Sequence, residues 1–92
     1  MSTKLSGTFT ATGQSNSVPL LRHFNVSLGT FTGTINLERS FDNGTNWEVT
    51  DTFSTQTSAV AFEPEKGVLY RFNCITLTAG TPTYRLGGSG NS

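Results

Sequence analysis

The chain has 92 residues, of which only 13 percent are charged, and its six basic and six acidic side chains cancel to a formal net charge of zero. A chain of this length forms one domain with a thin core, because small domains bury a smaller share of their surface than large ones. The balanced charge argues against nucleic acid and against an acidic membrane, since proteins attract both with a surplus of basic side chains.

The composition favours strands and turns over helices. The chain is rich in Thr, Ser, Gly and Phe and poor in Ala, Glu and Lys, the residues that favour helices. No apolar run approaches the roughly 20 residues that span a bilayer, and the first residues lack the apolar stretch of a secretory signal. A surface with so few charges is typical of a protein that neighbouring molecules largely cover.

The first third of the sequence predicts an arm, two strands and an edge segment. Residues 1–7 are polar and predict a flexible N-terminal arm. In residues 8–12 apolar side chains alternate with threonines, which predicts a short strand. Residues 18–21 contain a proline, which has no amide hydrogen to donate, so we expect an edge segment to which a partner strand could add. Alternation in residues 22–28 predicts a second strand.

The clearest local prediction is a β-hairpin over residues 33–50. Ile35 and Leu37 alternate with polar residues before the turn, and Val49 continues the alternation after it, as in half-buried strands. The turn itself reads Asp-Asn-Gly at residues 42–44. Asn and Gly accept positive φ angles, and the aspartate carboxylate accepts hydrogen bonds from nearby amides, so we expect a tight, closed turn.

The last third predicts three further strands and a tail. Residues 59–62 predict a short strand. Residues 68–77 have apolar side chains on both faces of the predicted strand, although neither face is wholly apolar. We therefore expect them to form the most central strand. Residues 83–86 predict a last strand, which we expect to pair with that central strand as an antiparallel hairpin. Residues 87–92 are Gly, Ser and Asn, and predict a flexible C-terminal tail.

The spacing of these elements predicts the fold class. Turn signals separate the strands at intervals of roughly 8 to 12 residues, which is typical of all-β sandwiches. We therefore expect residues 8–86 to form an antiparallel β-sandwich of about seven short strands. The single cysteine excludes an intrachain disulfide, so the domain must be stable without one.

Residues 40–47, Ser-Phe-Asp-Asn-Gly-Thr-Asn-Trp, resemble the Asp-box, Ser-x-Asp-x-Gly-x-Thr-Trp, of sialidases and many unrelated β proteins. The sequence departs from that pattern at Asn46, where Thr is usual. In those proteins the motif stabilises a hairpin turn away from the active site, with the tryptophan packed beneath it. The resemblance therefore implies a structural role for Asp42, Gly44 and Trp47. A weak cation or sugar contact near the tryptophan is the alternative.

Side chains that carry out catalysis are few, and they lack partners. His23 is the only histidine, so a metal site or a catalytic triad would lack further members, and we expect a surface histidine. Cys74 shares a strand face with Phe72 and predicts a small buried hydrophobe. We expect Glu38 and Glu48 to face each other across the hairpin, but on its solvated side, without the dry pocket that raises a carboxyl pKa. We therefore expect no enzyme, no catalytic residue, no metal and no cofactor.

Three phenylalanines near predicted turns are candidates for sugar binding, since exposed aromatic rings stack on sugars. These residues are Phe31, Phe41 and Phe53. Packing in the core or against another subunit is the alternative for each of them.

Three stretches, residues 29–47, 65–74 and 78–86, together resemble small structural proteins of tailed bacteriophages. In those proteins an Arg-Ser-x-Asp-x-Gly-x-x-Trp hairpin is followed by a Tyr-Arg strand and a closing Tyr-Arg-Leu strand. The resemblance implies a virion structural protein made in the host cytoplasm. Within that group it implies a capsid decoration (cement) protein on the capsid surface, whose partners are the major capsid protein and further copies of itself. It implies no catalytic residues.

Other functions stay open at this point. A tail or fibre component, a head-tail connector and a glycan-binding β-sandwich module are the alternatives to decoration. A glycan binder would show a cluster of exposed aromatic side chains, and a connector would form a closed ring with few copies. An enzyme would require a cleft that holds two acidic side chains about 5 to 10 Å apart.

Overall fold

The structure is a computed structural model that describes residues 3–88, and nine strands make up most of that range. Seven strands have six or more residues, and the other two have two residues each. Among the described residues, no helix is long and apolar enough to cross a membrane. The strands are β1 (Thr3–Thr8), β2 (Gly13–Gln14), β3 (Val18–Pro19), β4 (Arg22–Leu28), β5 (Thr32–Ser40), β6 (Glu48–Phe53), β7 (Thr57–Glu63), β8 (Leu69–Ala79) and β9 (Thr83–Gly88).

The strands form two antiparallel sheets that pack face to face. The first sheet has the strand order β1-β9-β4-β7. The second sheet has the order β2-β8-β5-β6, and β3 also pairs with β8. β1 approaches β3 along one side of the sandwich. At the other end of the two strand orders, β7 and β6 are the outer strands, and residues 54–56 join them. The predicted antiparallel β-sandwich is confirmed.

The core lies between the two sheets and follows the alternation of the strands. Every second side chain is buried in β4 from Phe24 onward, at Ile35 and Leu37 of β5, and in β8 from Tyr70 to Cys74, which is the period expected when one face of a strand packs on a core. The side chains of Leu5 and Leu86 add to this core from β1 and β9. The buried apolar side chains from β4, β5 and β8 are Phe24, Val26, Leu28, Ile35, Leu37, Tyr70, Phe72 and Cys74.

Several predicted elements match the structure closely. The strand predicted at residues 22–28 is β4, with the same bounds. The predicted hairpin is formed by β5 and β6, and the strand predicted at residues 59–62 lies within β7. The predicted central strand is β8, the longest, which has neighbours on both sides. The expected edge segment is β3, at the outer edge of the second sheet.

The predicted N-terminal arm is wrong for residues 3–7, and the strand predicted at residues 8–12 is wrong beyond its first residue. Thr3–Thr8 form β1 and pair with β9, so backbone hydrogen bonds hold a segment that has one apolar anchor, Leu5. The chain then leaves the sheet at Phe9, whose buried ring lies 4.7 Å from that of Tyr84. Residues 1–2 lie outside the described range.

The predicted hairpin of the last two strands is also wrong. β8 is flanked by β5 on one side and by β2 and β3 on the other, so it has no free edge for β9. Residues 80–82 instead carry the chain across to the first sheet, where β9 lies between β1 and β4. The predicted tail begins too early, because Gly87 and Gly88 belong to β9. Its remaining residues, 89–92, lie outside the described range.

Candidate functional site

The turn between β5 and β6 is closed around the carboxylate of Asp42. Its Oδ1 accepts hydrogen bonds from the Ser40 hydroxyl and from the amide of Asn46, both at 2.8 Å. Its Oδ2 accepts a third, at 2.7 Å, from the side-chain amide of Asn46. Hydrogen bonds to the charged form favour ionisation, and those from Asn46 and Ser40 lower the pKa of Asp42 to about 2. Asn46, where the Asp-box pattern has Thr, therefore holds the carboxylate through both its backbone and its side-chain amide.

The structure brings Asp42, Gly44 and Trp47 together in this turn. Gly44 has a φ of 93°, which favours glycine, and its amide donates a 2.8 Å hydrogen bond to the hydroxyl of Ser40. The indole Nε1 of Trp47 donates to the carbonyl oxygen of Gly44 at 3.1 Å. The indole ring covers the outer face of the second sheet, where the guanidinium of Arg71 lies 4.1 Å from its centre. Sequence reasoning missed the contributions of Ser40 and Asn46.

Glu38 lies beside this turn in a paired network and does not face Glu48. A β-bulge between Leu37 and Glu38 shifts the register, so Glu38 is opposite Val49 and Glu48 is opposite Arg39. The prediction that the two glutamates face each other is therefore wrong. Glu38 is 6 percent exposed and accepts hydrogen bonds from Arg71 at 2.8 Å and from Asn73 at 3.0 Å. Its carboxylate is occupied by these contacts.

A second ion pair is buried between the sheets at the end of β7. Glu63 is 1 percent exposed and accepts hydrogen bonds from Arg39 at 3.2 Å, from the Tyr70 hydroxyl and from the Glu65 amide at 3.0 Å. Burial and the bond to Glu63 raise the pKa of Tyr70 to about 12. A buried carboxylate needs such partners, because an unpaired one costs several kcal/mol. The cluster therefore ties β7 to β5 and β8 of the second sheet.

An open depression with a volume of about 570 Å³ lies near the same end of β7, on the outside. His23 is exposed there, as predicted, and its ring lies 4.9 Å from that of Phe62. The backbone of Arg22 has a φ of 65°, which is uncommon outside glycine. The lining residues are Leu21, Arg22, His23, Phe62, Pro64 and Lys66.

The remaining candidates for chemistry are placed as follows. Cys74 is buried, as predicted, and burial raises the pKa of its thiol, which opposes formation of the nucleophilic thiolate. In the part of the chain that the structure describes, no group of three or more His, Cys, Asp or Glu side chains is arranged to hold a metal ion. The sugar-binding candidates diverge, since Phe31 is buried, Phe53 packs against the core, and Phe41 is exposed beneath the guanidinium of Arg39.

Large exposed apolar side chains are prominent along the side of the sandwich formed by β6 and β7. Val60 and Phe62 on β7 are 73 and 53 percent exposed, and Val49 on β6 is 55 percent exposed. The alternation of β7 places Val60 and Phe62 together on the outer face of the first sheet. Val49 is opposite Glu38 and lies on the outer face of the second sheet, apart from them. Sequence reasoning identified the strand but missed this surface, because the same alternation fits a strand whose apolar face is buried.

Comparisons with known proteins bear on the fold. No protein-family model matches the chain, and no curated protein matches it. Among solved structures, the chain is similar to the crystal structure of Yersinia pseudotuberculosis-derived mitogen (YPM), with a TM-score of 0.53 and 12 percent sequence identity. The match covers 100 percent of this chain and 87 percent of that one. At this low identity the similarity shows a related fold and says nothing about activity.

Proposed function

We propose that this protein is a structural component of a bacteriophage particle, and specifically a decoration protein that binds the outside of the major capsid protein shell. The observation that carries this proposal is the exposed apolar surface on the outer face of β7, formed by Val60 and Phe62. The resemblance of residues 29–47, 65–74 and 78–86 to phage structural proteins supplies the biological setting. The low charge of the chain supports a surface that is covered by other proteins.

The exposed apolar side chains provide a physical basis for binding to protein. Removing apolar surface from water contributes roughly 25 cal/mol per Å², so burying Val60 and Phe62 against a partner favours association. A protein that binds an assembled shell, and binds its separate subunits less well, stabilises the shell by mass action. Repetition over a symmetric shell adds to this effect, since linked contacts bind more tightly than single ones.

The ionisable groups support binding in preference to catalysis. Glu38 and Glu63 are paired with arginines, and Asp42 is held by the turn, so these three carboxylates stabilise the fold. Catalysis by a carboxyl pair needs two such groups across a substrate site. Three of the six acidic side chains thus already have structural partners.

The test is to purify particles of the phage that encodes the chain and to count its copies by quantitative mass spectrometry. If the protein decorates the capsid, each particle should contain many copies of it, in a fixed ratio to the major capsid protein. Particles made without the protein should lose their DNA at a lower temperature, and adding purified protein should restore their stability. Absence from purified particles would overturn the proposal. A copy number that fits a single ring would favour a connector or tail component instead.

A glycan-binding module is a second candidate, and the depression beside Phe62 favours it. An exposed aromatic ring next to Arg22 and Lys66 offers a stacking surface and positive charge to an acidic sugar. A glycan array would test this function with the wild-type protein and with Phe62→Ala. Binding to acidic sugars that is lost in the variant would support it, and an array without hits would exclude it for the glycans tested.

A further inference from the structure

The outer edges of the described sheets differ in how well they resist pairing with another strand. β2 and β3 are two residues long, and β3 ends at Pro19, which has no amide hydrogen. β6 carries Glu48 and Asp51, and its pairing with β5 is interrupted by a bulge. β1 carries Lys4. Short length, proline, bulges and charges are the features with which natural sheets prevent edge-to-edge association.

β7 is an edge strand that lacks these features. It pairs with β4 over all seven residues without a register shift. Residues 57–62 contain no charge, no proline and no glycine, and the charged residue that follows, Glu63, points into the protein. Because β7 pairs with β4 on one side and with no other strand among residues 3–88, the backbone N–H and C=O groups directed to its other side can pair with a further strand. The outward side chains Val60 and Phe62 add apolar surface next to this edge.

We infer that β7 pairs antiparallel with β7 of a second copy of this chain, with Val60 of each copy facing the same residue of the other. The inference deepens the proposed function, since it assigns the contact between copies of the decoration protein. The pairing joins the two first sheets into one continuous sheet of eight strands, counted from the four in each copy. On its outer face each Phe62 then lies near Ser58 of the other copy, so the exposed apolar side chains lie together.

The charges near β7 select the antiparallel orientation and permit a second copy as the partner. Arg22 and Lys66 lie at the Phe62 end of the strand, with Glu65 between Pro64 and Lys66. Antiparallel pairing centred on Val60 offsets the two Phe62 positions by four residues, or about 14 Å, which exceeds the screening length of roughly 8 Å. Parallel pairing would instead place the Phe62 ends of the two β7 strands side by side, about 5 Å apart, with Arg22 one strand further from the junction in each copy. The uncharged strand puts no like charges opposite each other.

The expected affinity in solution is modest. A pair of seven-residue strands buries less than the roughly 1,200 Å² of a standard stable interface. We therefore expect a dimer that dissociates on dilution and becomes persistent when a shell holds many copies close together.

The test is cysteine cross-linking at position 60 of β7, with position 49 of the edge strand β6 as the matched control. Val60→Cys places two thiols opposite each other, and facing residues of antiparallel strands have Cα separations of about 4.5 to 5.5 Å, within the range of a disulfide. Mild oxidation should yield a covalent dimer. Val49→Cys is the control, because Val49 is similarly exposed on β6. The native Cys74 is buried and should not compete.

A second variant tests the contact without a cross-link. Val60→Lys would place two positive charges opposite each other and should weaken self-association by about tenfold or more, measured by sedimentation equilibrium. Val49→Lys should associate like the wild type. Because Val60 is largely exposed, the variant should fold, and its circular dichroism and melting curve check this. A wild-type protein that stays monomeric at high concentration, or equal cross-linking at positions 49 and 60, overturns the inference.

Assays on particles separate this inference from the proposed function. If the protein dimerises through β7 but is absent from purified phage particles, the decoration function fails and the β7 contact stands. If Val60→Lys occupies particles at the wild-type copy number and the wild type is monomeric in solution, the β7 contact fails and decoration stands. If the wild type is monomeric and Val60→Lys loses particle binding, Val60 contacts the shell itself, which overturns the second copy as the partner of β7 and leaves decoration standing.

Discussion

The two edge strands β6 and β7 lie on the same side of the sandwich, only three residues apart in sequence, and differ in almost every other respect. β6 is bulged, carries Glu48 and Asp51, and follows a turn with many hydrogen bonds. β7 is regular and uncharged up to Glu63, and a buried ion pair holds its end. Local hydrogen bonds define the turn that leads into β6, whereas long-range contacts hold β7.

This difference shows how one protein can have an inert edge next to one that is open to pairing. The devices on β6 make strand addition unfavourable, so its exposed Val49 is an isolated apolar side chain on a polar strand. On β7, exposed apolar side chains coincide with an unblocked backbone edge. The position of a hydrophobic residue relative to backbone groups therefore matters more than its exposure alone.

The largest expected effect comes from removing the anchor of β7. Glu63→Ala should lower the free energy of unfolding by about 2 to 4 kcal/mol, because it leaves Arg39 and Tyr70 without their shared partner. We place the value below the usual cost of breaking a buried pair because Arg39 is partly exposed. Urea denaturation measures the change. The control is Glu65→Ala, which removes an exposed neighbour, and a loss for Glu63→Ala no larger than the control's would contradict the buried cluster.

A smaller effect is expected on the β6 side. Ser40→Ala should destabilise the protein by about 1 to 2 kcal/mol, because the buried hydroxyl accepts from Gly44 and donates to Asp42. Chemical denaturation again gives the value, and Ser54→Ala serves as the exposed control. Equal stability of the two variants would mean that the turn does not depend on this hydroxyl.

The turn should also give the protein an acid-sensitive contribution to stability. The pKa of Asp42 is about 2 in the folded protein, below its ordinary value of roughly 3.9 in an unfolded chain. The unfolded chain therefore binds more protons between these values, and the contribution, complete above about pH 4, is lost as the pH falls toward 2. Asp42→Asn should reduce the fall in melting temperature between pH 4.5 and 2.5. An unchanged pH profile would exclude Asp42 as its source.

The smallest effects are expected from the two exposed valines. Val49→Lys and Val60→Lys should each change the free energy of unfolding of the dilute protein by less than about 0.5 kcal/mol, because surface substitutions away from specific contacts rarely do more. Denaturation at a concentration well below that of self-association makes this measurement. A large loss of stability in either variant would mean that this valine packs in the core. Its effect on self-association could then not be separated from its effect on folding.

Much of the fold could be predicted because short-range patterns determine it. The alternation in residues 22–28 and 68–77 reflects strands with one face on the core, and Asp42 and Gly44 close their turn with residues only a few positions away. The candidate surface could not be predicted in the same way. Val60 alternates as a buried valine would, and only the packing of the two sheets decides that its face of β7 points outward.

The sequence by itself determined the strands with clear alternation, the hairpin at residues 33–50 and the lack of a disulfide, because each depends on neighbouring residues or on composition. Tertiary structure decided the strand neighbours, which placed β9 between β1 and β4 and made β1 a strand. It also brought Arg39, Glu63 and Tyr70 together. Such contacts join residues far apart in the chain, and their free energy depends on how two sheets pack, which no local pattern contains.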